Sequence, residues 1–280
     1  MSRHKLTSSR HALQAGKKTY QDETGVGGQL IISPVLETGT ADGDSYIYIN
    51  VQGDGPPIHN DSLGAGVATD WYDDAVFSVG SSSPENHSNY SVQHALLNFN
   101  LFSDGILNAN SQILSANLFL TVATQTGNKV NGSIHMDRDL VTMYRNKQTL
   151  TNVSDTRYAW WENYNQAGHG WGTDGATHTG SDIDTTVTDT FYLQPNVNHN
   201  YTNGEGVEPW AVMERVGPFS VMNLVQDAVE NRSGILNSIW IKENDTTRFK
   251  NTTRFFSTNS PTDGEDGDQR PHIIIDYYNP

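Results

Sequence analysis

Short runs of apolar residues recur along this chain, several alternating with polar positions at the period of two expected of β-strands. In SYIYINV (45–51), Ile47, Ile49 and Val51 alternate with Tyr46 and Tyr48, so apolar character falls on both faces. Comparable runs are QLIISPVL (29–36), DAVFSV (74–79), SVQHALLNFNL (91–101), ILSANLFLTVAT (113–124) and GSIHMDRDLV (132–141). TTVTDTFYL (185–193), ILNSIWI (235–241), TTRFFS (252–257) and HIIIDYY (272–278) continue the series. Segments such as SSSPENHSN and PTDGEDGD separate them, rich in residues that bond their own backbone in turns. The pattern predicts an all-β fold, an antiparallel β-sandwich or jelly roll, with no parallel α/β alternation.

One stretch changes period. In PFSVMNLVQDAVENRSG, Val221, Leu224, Val225, Ala228 and Val229 fall at helical spacing, which predicts one short helix. Ser220 is its candidate N-cap, and Gly234 lies just past its end. QGDGPPIHNDSLGAG (52–66) reads as a linker. It divides an extended N-terminal arm with two short strands (1–60) from a body (61–280).

Charge sharpens that division. Residues 1–18 carry Arg3, Lys5, Arg10, Lys17 and Lys18 and no acidic residue, whereas residues 19–280 hold 12 basic against 32 acidic residues. So acidic a body repels phosphates, which argues against nucleic acid or a membrane surface as its partner. The basic arm instead offers long-reach donors to acidic protein neighbours. There is no cysteine, so disulfides and Cys-ligated metals are excluded. No apolar run is long enough to span a bilayer, and the basic N-terminus lacks the apolar core of a signal peptide. Nine N-x-S/T sequons follow from the abundance of Asn, Ser and Thr.

From Asp74 onwards the segments occur in a telling order. HALLNFNL (94–101) is followed by ILSANLFLTV (113–122), then by an aromatic middle ending WGTDGATHTGSD. After these come FSVMNLVQDAVENRSGILNSIWIK (219–242) and FFSTNSPTDGEDGDQRPHIIIDY (255–277). Over roughly residues 70–280 this series resembles the DNRLRE-type domains. The resemblance implies a β jelly roll, found in secreted carbohydrate-associated proteins, some of which bind polysaccharide, and in structural proteins of tailed phages. The segment WWENYNQAGHGWGTDGA looks most like the phage-associated versions. The basic arm, and the absence of a signal peptide or attached catalytic domain, favour a virion component assembled in the host cytoplasm.

Candidate chemistry concentrates in WWENYNQAGHGWGTDGATHTGSD (160–182). Trp160, Trp161 and Trp171 are candidates for stacking on the apolar face of a sugar. His169, Asp174, His178, Asp182 and Asp184 have metal-ligand side chains, but their spacing matches no ligand pattern. A tryptophan-anchored connection is the simpler reading of the segment. Asp73, Asp74 and Asp276 lie near the first and last strands of the body and are candidate ligands for a structural calcium; no cofactor is otherwise required. No nucleophile-elbow, H-E-x-x-H or phosphate-loop motif is present, so no enzyme is expected.

The expectation is a non-enzymatic structural protein on the exterior of a tailed-phage virion, with capsid decoration slightly favoured over a tail or fibre component. It would attach to other virion proteins through Arg3, Lys5, Arg10, Lys17 and Lys18, as a homo-oligomer or symmetric array, with strands 29–36 and 45–51 available to a partner's sheet. The alternative is an adhesion module for host-surface or extracellular polysaccharide.

Overall fold

The computed structural model describes residues 18–21, 26–32, 43–52, 58–59, 76–81, 89–127, 139–148, 170–173, 176–193, 214–242, 251–256 and 269–280. The expected architecture is found: an all-β sandwich of two antiparallel sheets, with one short helix among the described residues. In chain order the strands are β1 (Lys18–Gln21), β2 (Val26–Ile32), β3 (Gly43–Gln52), β4 (Ile58–His59), β5 (Val76–Ser81), β6 (Asn89–Asn100) and β7 (Gln112–Gly127). They continue as β8 (Asp139–Asn146), β9 (Ile183–Leu193), β10 (Arg215–Ser220), the helix α1 (Met222–Asn231), β11 (Ile235–Lys242), β12 (Asn251–Phe256) and β13 (His272–Asn279).

The first sheet runs β1-β2-β13-β7-β10. The second is built around β6, which pairs with β3 along one edge and with both β5 and β11 along the other. Beyond β11 lie β8 and β9, and beyond β5 lies β12. Strand β7 belongs to both sheets, its first part pairing with β13 and its last part with β12. The transfer occurs at a bulge, where Val122 and Thr124 oppose the consecutive residues Phe255 and Arg254. Leu120, Thr121, Val122 and Ala123 are all buried there, as expected of a strand crossing from one layer to the other.

The main core fills the space between the sheets with Leu30, Leu97, Phe99, Leu118, Trp240, Phe255 and Ile275, closed by Leu224, Val225, Ala228 and Val229 of α1. Residues 94–99 of β6 are buried without interruption, because this strand is covered on both faces. Ala95, Leu97 and Phe99 face the main core. Leu96 instead joins Ile239, Trp171, Ala176 and Ile183 in a second cluster. The sandwich therefore carries an additional layer over the outer face of its second sheet.

Two expectations need correction. The strands predicted at 29–36 and 45–51 do not form part of a separate arm. β2 pairs along its whole length with β13, and β3 pairs along its whole length with β6. Each fills a full-length ladder in the chain's own sheets; among the described residues the other edge of β3 is paired only at Ile49 and Asn50, with β4. The helix lacks the expected Ser220 cap: Val221 occupies that position with no side-chain hydrogen bond, and Ser220 lies in β10 opposite Asn117. The cap comes from β9, where the Asp189 carboxylate accepts the amides of Leu224 at 3.0 Å and Asn223 at 3.4 Å. Past the helix, Gly234 has φ +82, and a β-carbon there would lie 2.5 Å from the Phe102 ring.

Burial raises the Asp189 carboxyl above the ordinary value of 3.8, against the opposing pull of those two amides. The folded state thus holds this proton more tightly than the unfolded chain does. Asp189 contributes most below 3.8, and that contribution declines as pH rises toward the elevated value. Asp189→Asn keeps an acceptor without the charge, so its stability relative to wild type should improve as pH rises through that window. Asp189→Ala should lose about 0.5–2 kcal/mol from the missing cap. Urea unfolding of the three proteins from pH 3.5 to 7 measures both effects. Asp184 behaves in the opposite sense. Its hydrogen bonds from Thr186, reinforced by Arg145, lower its carboxyl, so its contribution is present above 3.8 and is lost as pH falls further.

Candidate functional site

The densest gathering of polar chemistry among the described residues is the segment before β9, and its centre is Asp182. This carboxylate is fully buried. One oxygen accepts the Gly172 amide at 2.7 Å and the Ser181 hydroxyl at 2.8 Å. The other accepts the amides of Thr173 at 3.1 Å and His178 at 3.0 Å. Four donors converge on one side chain, so a loop with few internal ladders is held in a single shape. Gly172 is needed because a β-carbon there would sit 1.9 Å from the Ser181 hydroxyl. Ala176 adopts φ +60, an uncommon conformation for alanine, and is buried in the second cluster.

Strand β8 latches the other side of the loop. Just past β8, Lys147 Nζ donates to the Thr179 carbonyl at 2.7 Å, and Gln148 Nε2 donates to that of Ser181 at 2.9 Å. The Lys147 amide also donates to the Asp182 carbonyl at 2.7 Å. Trp171, only 7% exposed, packs against Leu96, Ile239 and Ile183. A ring covered in this way has no open face for a pyranose, so Trp171 is an anchor rather than a sugar platform. Trp160 and Trp161 lie outside the described residues.

Ser181, His178 and Asp182 bring together the side-chain types of a hydrolytic triad, a juxtaposition the sequence reading missed. Their order is wrong for that chemistry. A triad places the imidazole between hydroxyl and carboxylate. Here the Ser181 hydroxyl lies between, 3.2 Å from His178 Nδ1 and donating to Asp182. His178 Nδ1 also accepts the amides of Gly180 at 3.1 Å and Ser181 at 3.2 Å, contacts within the loop itself. These groups fold the loop.

The metal-type residues that are described, His178, Asp182 and Asp184, do not gather as a metal site. Asp182 is saturated by its four donors, His178 is exposed with its Nδ1 turned onto the loop's own amides, and Asp184 pairs with Arg145. His169 and Asp174 lie outside the described residues. Arg145 also binds Asp227 of α1 at 2.7 Å, and so ties β8 to both β9 and the helix. Arg232 donates to the Asn146 carbonyl at 2.7 Å. Burial lowers the Arg232 guanidinium below its usual value, with Arg145 adding to the effect and Asp227 opposing it.

On the outer face of the first sheet, register aligns Gln29, Asp276 and Ser115 across β2, β13 and β7. The Asp276 oxygens accept Gln29 Nε2 at 3.0 Å and the Ser115 hydroxyl at 2.6 Å. Asp73 and Asp74, its expected calcium-binding partners, lie outside the described residues. Among the described residues no three His, Asp or Glu side chains gather as a metal site would require. Of the basic arm residues, Lys18 opens β1 opposite Gln29, while Arg3, Lys5, Arg10 and Lys17 fall outside the described residues.

No protein-family model matches the chain, and no curated protein matches it.

Proposed function

We propose that this protein is a non-catalytic structural module displayed on the exterior of a tailed-phage particle, more as capsid decoration than as a tail component. Its basic N-terminal residues would attach it to neighbouring virion proteins in a symmetric array. The observation that supports the non-catalytic part is the use made of five carboxylates among the described residues. Asp182 holds a loop, Asp189 caps a helix, Asp184 and Asp227 fasten β9 and α1 to Arg145, and Asp276 links three strands. Side chains so committed serve rigidity, which a displayed module needs. The virion setting draws on the likeness to DNRLRE-type domains and on the contrast between a basic arm and an acidic body.

The test is a truncation, and the fold fixes its limit. A deletion reaching residue 28 would remove β1 and the start of β2 from the first sheet. Deleting residues 1–17 stops short of β1 and leaves both strands in place. The truncated chain should melt with the full-length protein and be missing from purified particles. Full incorporation of the folded truncation would end the attachment idea. A second reading, a polysaccharide-binding adhesion module, is favoured by the Trp160–Trp161 pair in the sequence. It predicts glycan affinity that is lost on replacing either residue with Ala, and a blank glycan panel refutes it.

A further inference from the structure

We infer that Arg254, at the middle of β12, is the centre of a binding site for an oxyanion, whether on an acidic polymer or as a free inorganic ion. Its neighbours fix its direction. Thr253 and Phe255 are buried, and Phe255 belongs to the main core, so Arg254 lies on the opposite face of the second sheet. There it is half-buried, and its Nε is closed off from solvent yet donates to nothing. A buried charged donor without an acceptor is costly, and such a group in a folded protein calls for an explanation.

The composition of the chain makes this cation more telling. The chain has 32 acidic residues to 17 basic ones, so a nearby carboxylate is the ordinary expectation. Arg145 has two such partners, whereas no carboxylate among the described residues pairs with Arg254. In register, the positions opposite it are not acidic. Ser78 of β5 and Thr124 of β7 stand directly opposite Arg254 on the two adjoining strands. Two residues along the same face, Thr252 stands between Gly80 and Thr126. A planar, forked guanidinium with a free inner donor has the chemistry that oxyanions take.

Long-range electrostatics would not produce anion binding here, because the net charge of −15 repels anions. Saturable uptake must therefore be local, which keeps the test clean. This inference stands apart from the attachment proposal. The full chain, Arg254→Gln and Arg254→Lys are melted with sodium sulfate or phosphate against sodium chloride at equal ionic strength. Their affinities for a uronic-acid polysaccharide and a neutral glucan are measured by calorimetry.

Wild type should show a saturable rise in melting temperature, or affinity, for at least one oxyanion probe and none for the neutral glucan. Arg254→Gln should weaken this at least tenfold while melting no lower than wild type without ligand. Arg254→Lys keeps the charge but not the fork, and should fall between. A response to small ions identifies a free-ion site, and a response confined to the acidic polymer identifies a polymer site; both support the assignment. It is overturned if wild type shows no saturable response, if Arg254→Gln keeps it, or if Arg254→Gln melts several degrees lower without ligand.

Discussion

Asp182→Ala should destabilise the protein by about 2–4 kcal/mol, because three amides and a hydroxyl lose their common acceptor at once. That corresponds to a melting temperature lower by roughly 5–15 °C. The loop would then no longer press Trp171 onto Leu96 and Ile239, so the emission of that tryptophan should move to longer wavelength. Comparison with Asp182→Ala in a Trp171→Phe background isolates its signal from those of the other five tryptophans. Asp182→Asn should be milder, since one of its oxygens remains an acceptor. If Asp182→Ala melts with wild type, the carboxylate is not the organising centre of the loop.

Trp240→Ala should cost more, about 3–5 kcal/mol, and lower the melting temperature by roughly 6–20 °C. Trp240 is fully buried and is the largest side chain in the main core. Its ring meets Phe191 edge-on at 5.4 Å, and Phe191 in turn packs on Phe219 at 4.6 Å, so one indole joins β11 to β9 and β10. Its Nε1 also donates to the Ser238 hydroxyl at 2.9 Å. Trp240→Phe preserves much of the volume and removes that donor, so a loss of about 1–2 kcal/mol is expected. Denaturant titration should show an unchanged slope and a shifted midpoint for both.

Where one face of a strand is polar, the sequence was a good guide. Strands β9, β12 and β13 lie within a few residues of their predicted spans, because alternation is a local property of the chain. Strand β8 was placed too early, at 132–141 rather than 139–146. Val141, Thr142 and Met143 are all buried, so there is no polar alternation to mark where the strand continues. β10 went unrecognised because Arg-Val-Gly-Pro-Phe-Ser contains the two residues least suited to a ladder, and its pairing with β7 is in fact broken by an irregularity at those positions.

The candidate site was legible only in part. Its length of chain was singled out, but its tryptophans and histidines drew attention that belonged to Asp182. The helix cap shows why. Asp189 lies 35 residues before Leu224, so only the packing of β9 against α1 brings it into place. Arg145 meets Asp227 across 82 residues by the same route. Arg254 carries no local signature, since what distinguishes it is a buried Nε without an acceptor, which only the packing creates.

The position of β13 also has a consequence for assembly. It lies between β2 and β7, and the Gln29–Asp276 contact closes a separation of 247 residues. During synthesis, β2 has only β1 beside it until this distant segment emerges, and the first part of β7 has only β10. Two apolar strand edges therefore wait exposed while more than half of the chain is made, the condition under which strands recruit wrong partners. A nascent chain halted before β13 should accordingly aggregate or occupy a chaperone, and the yield of folded protein should depend more on how quickly that strand arrives than on its own sequence.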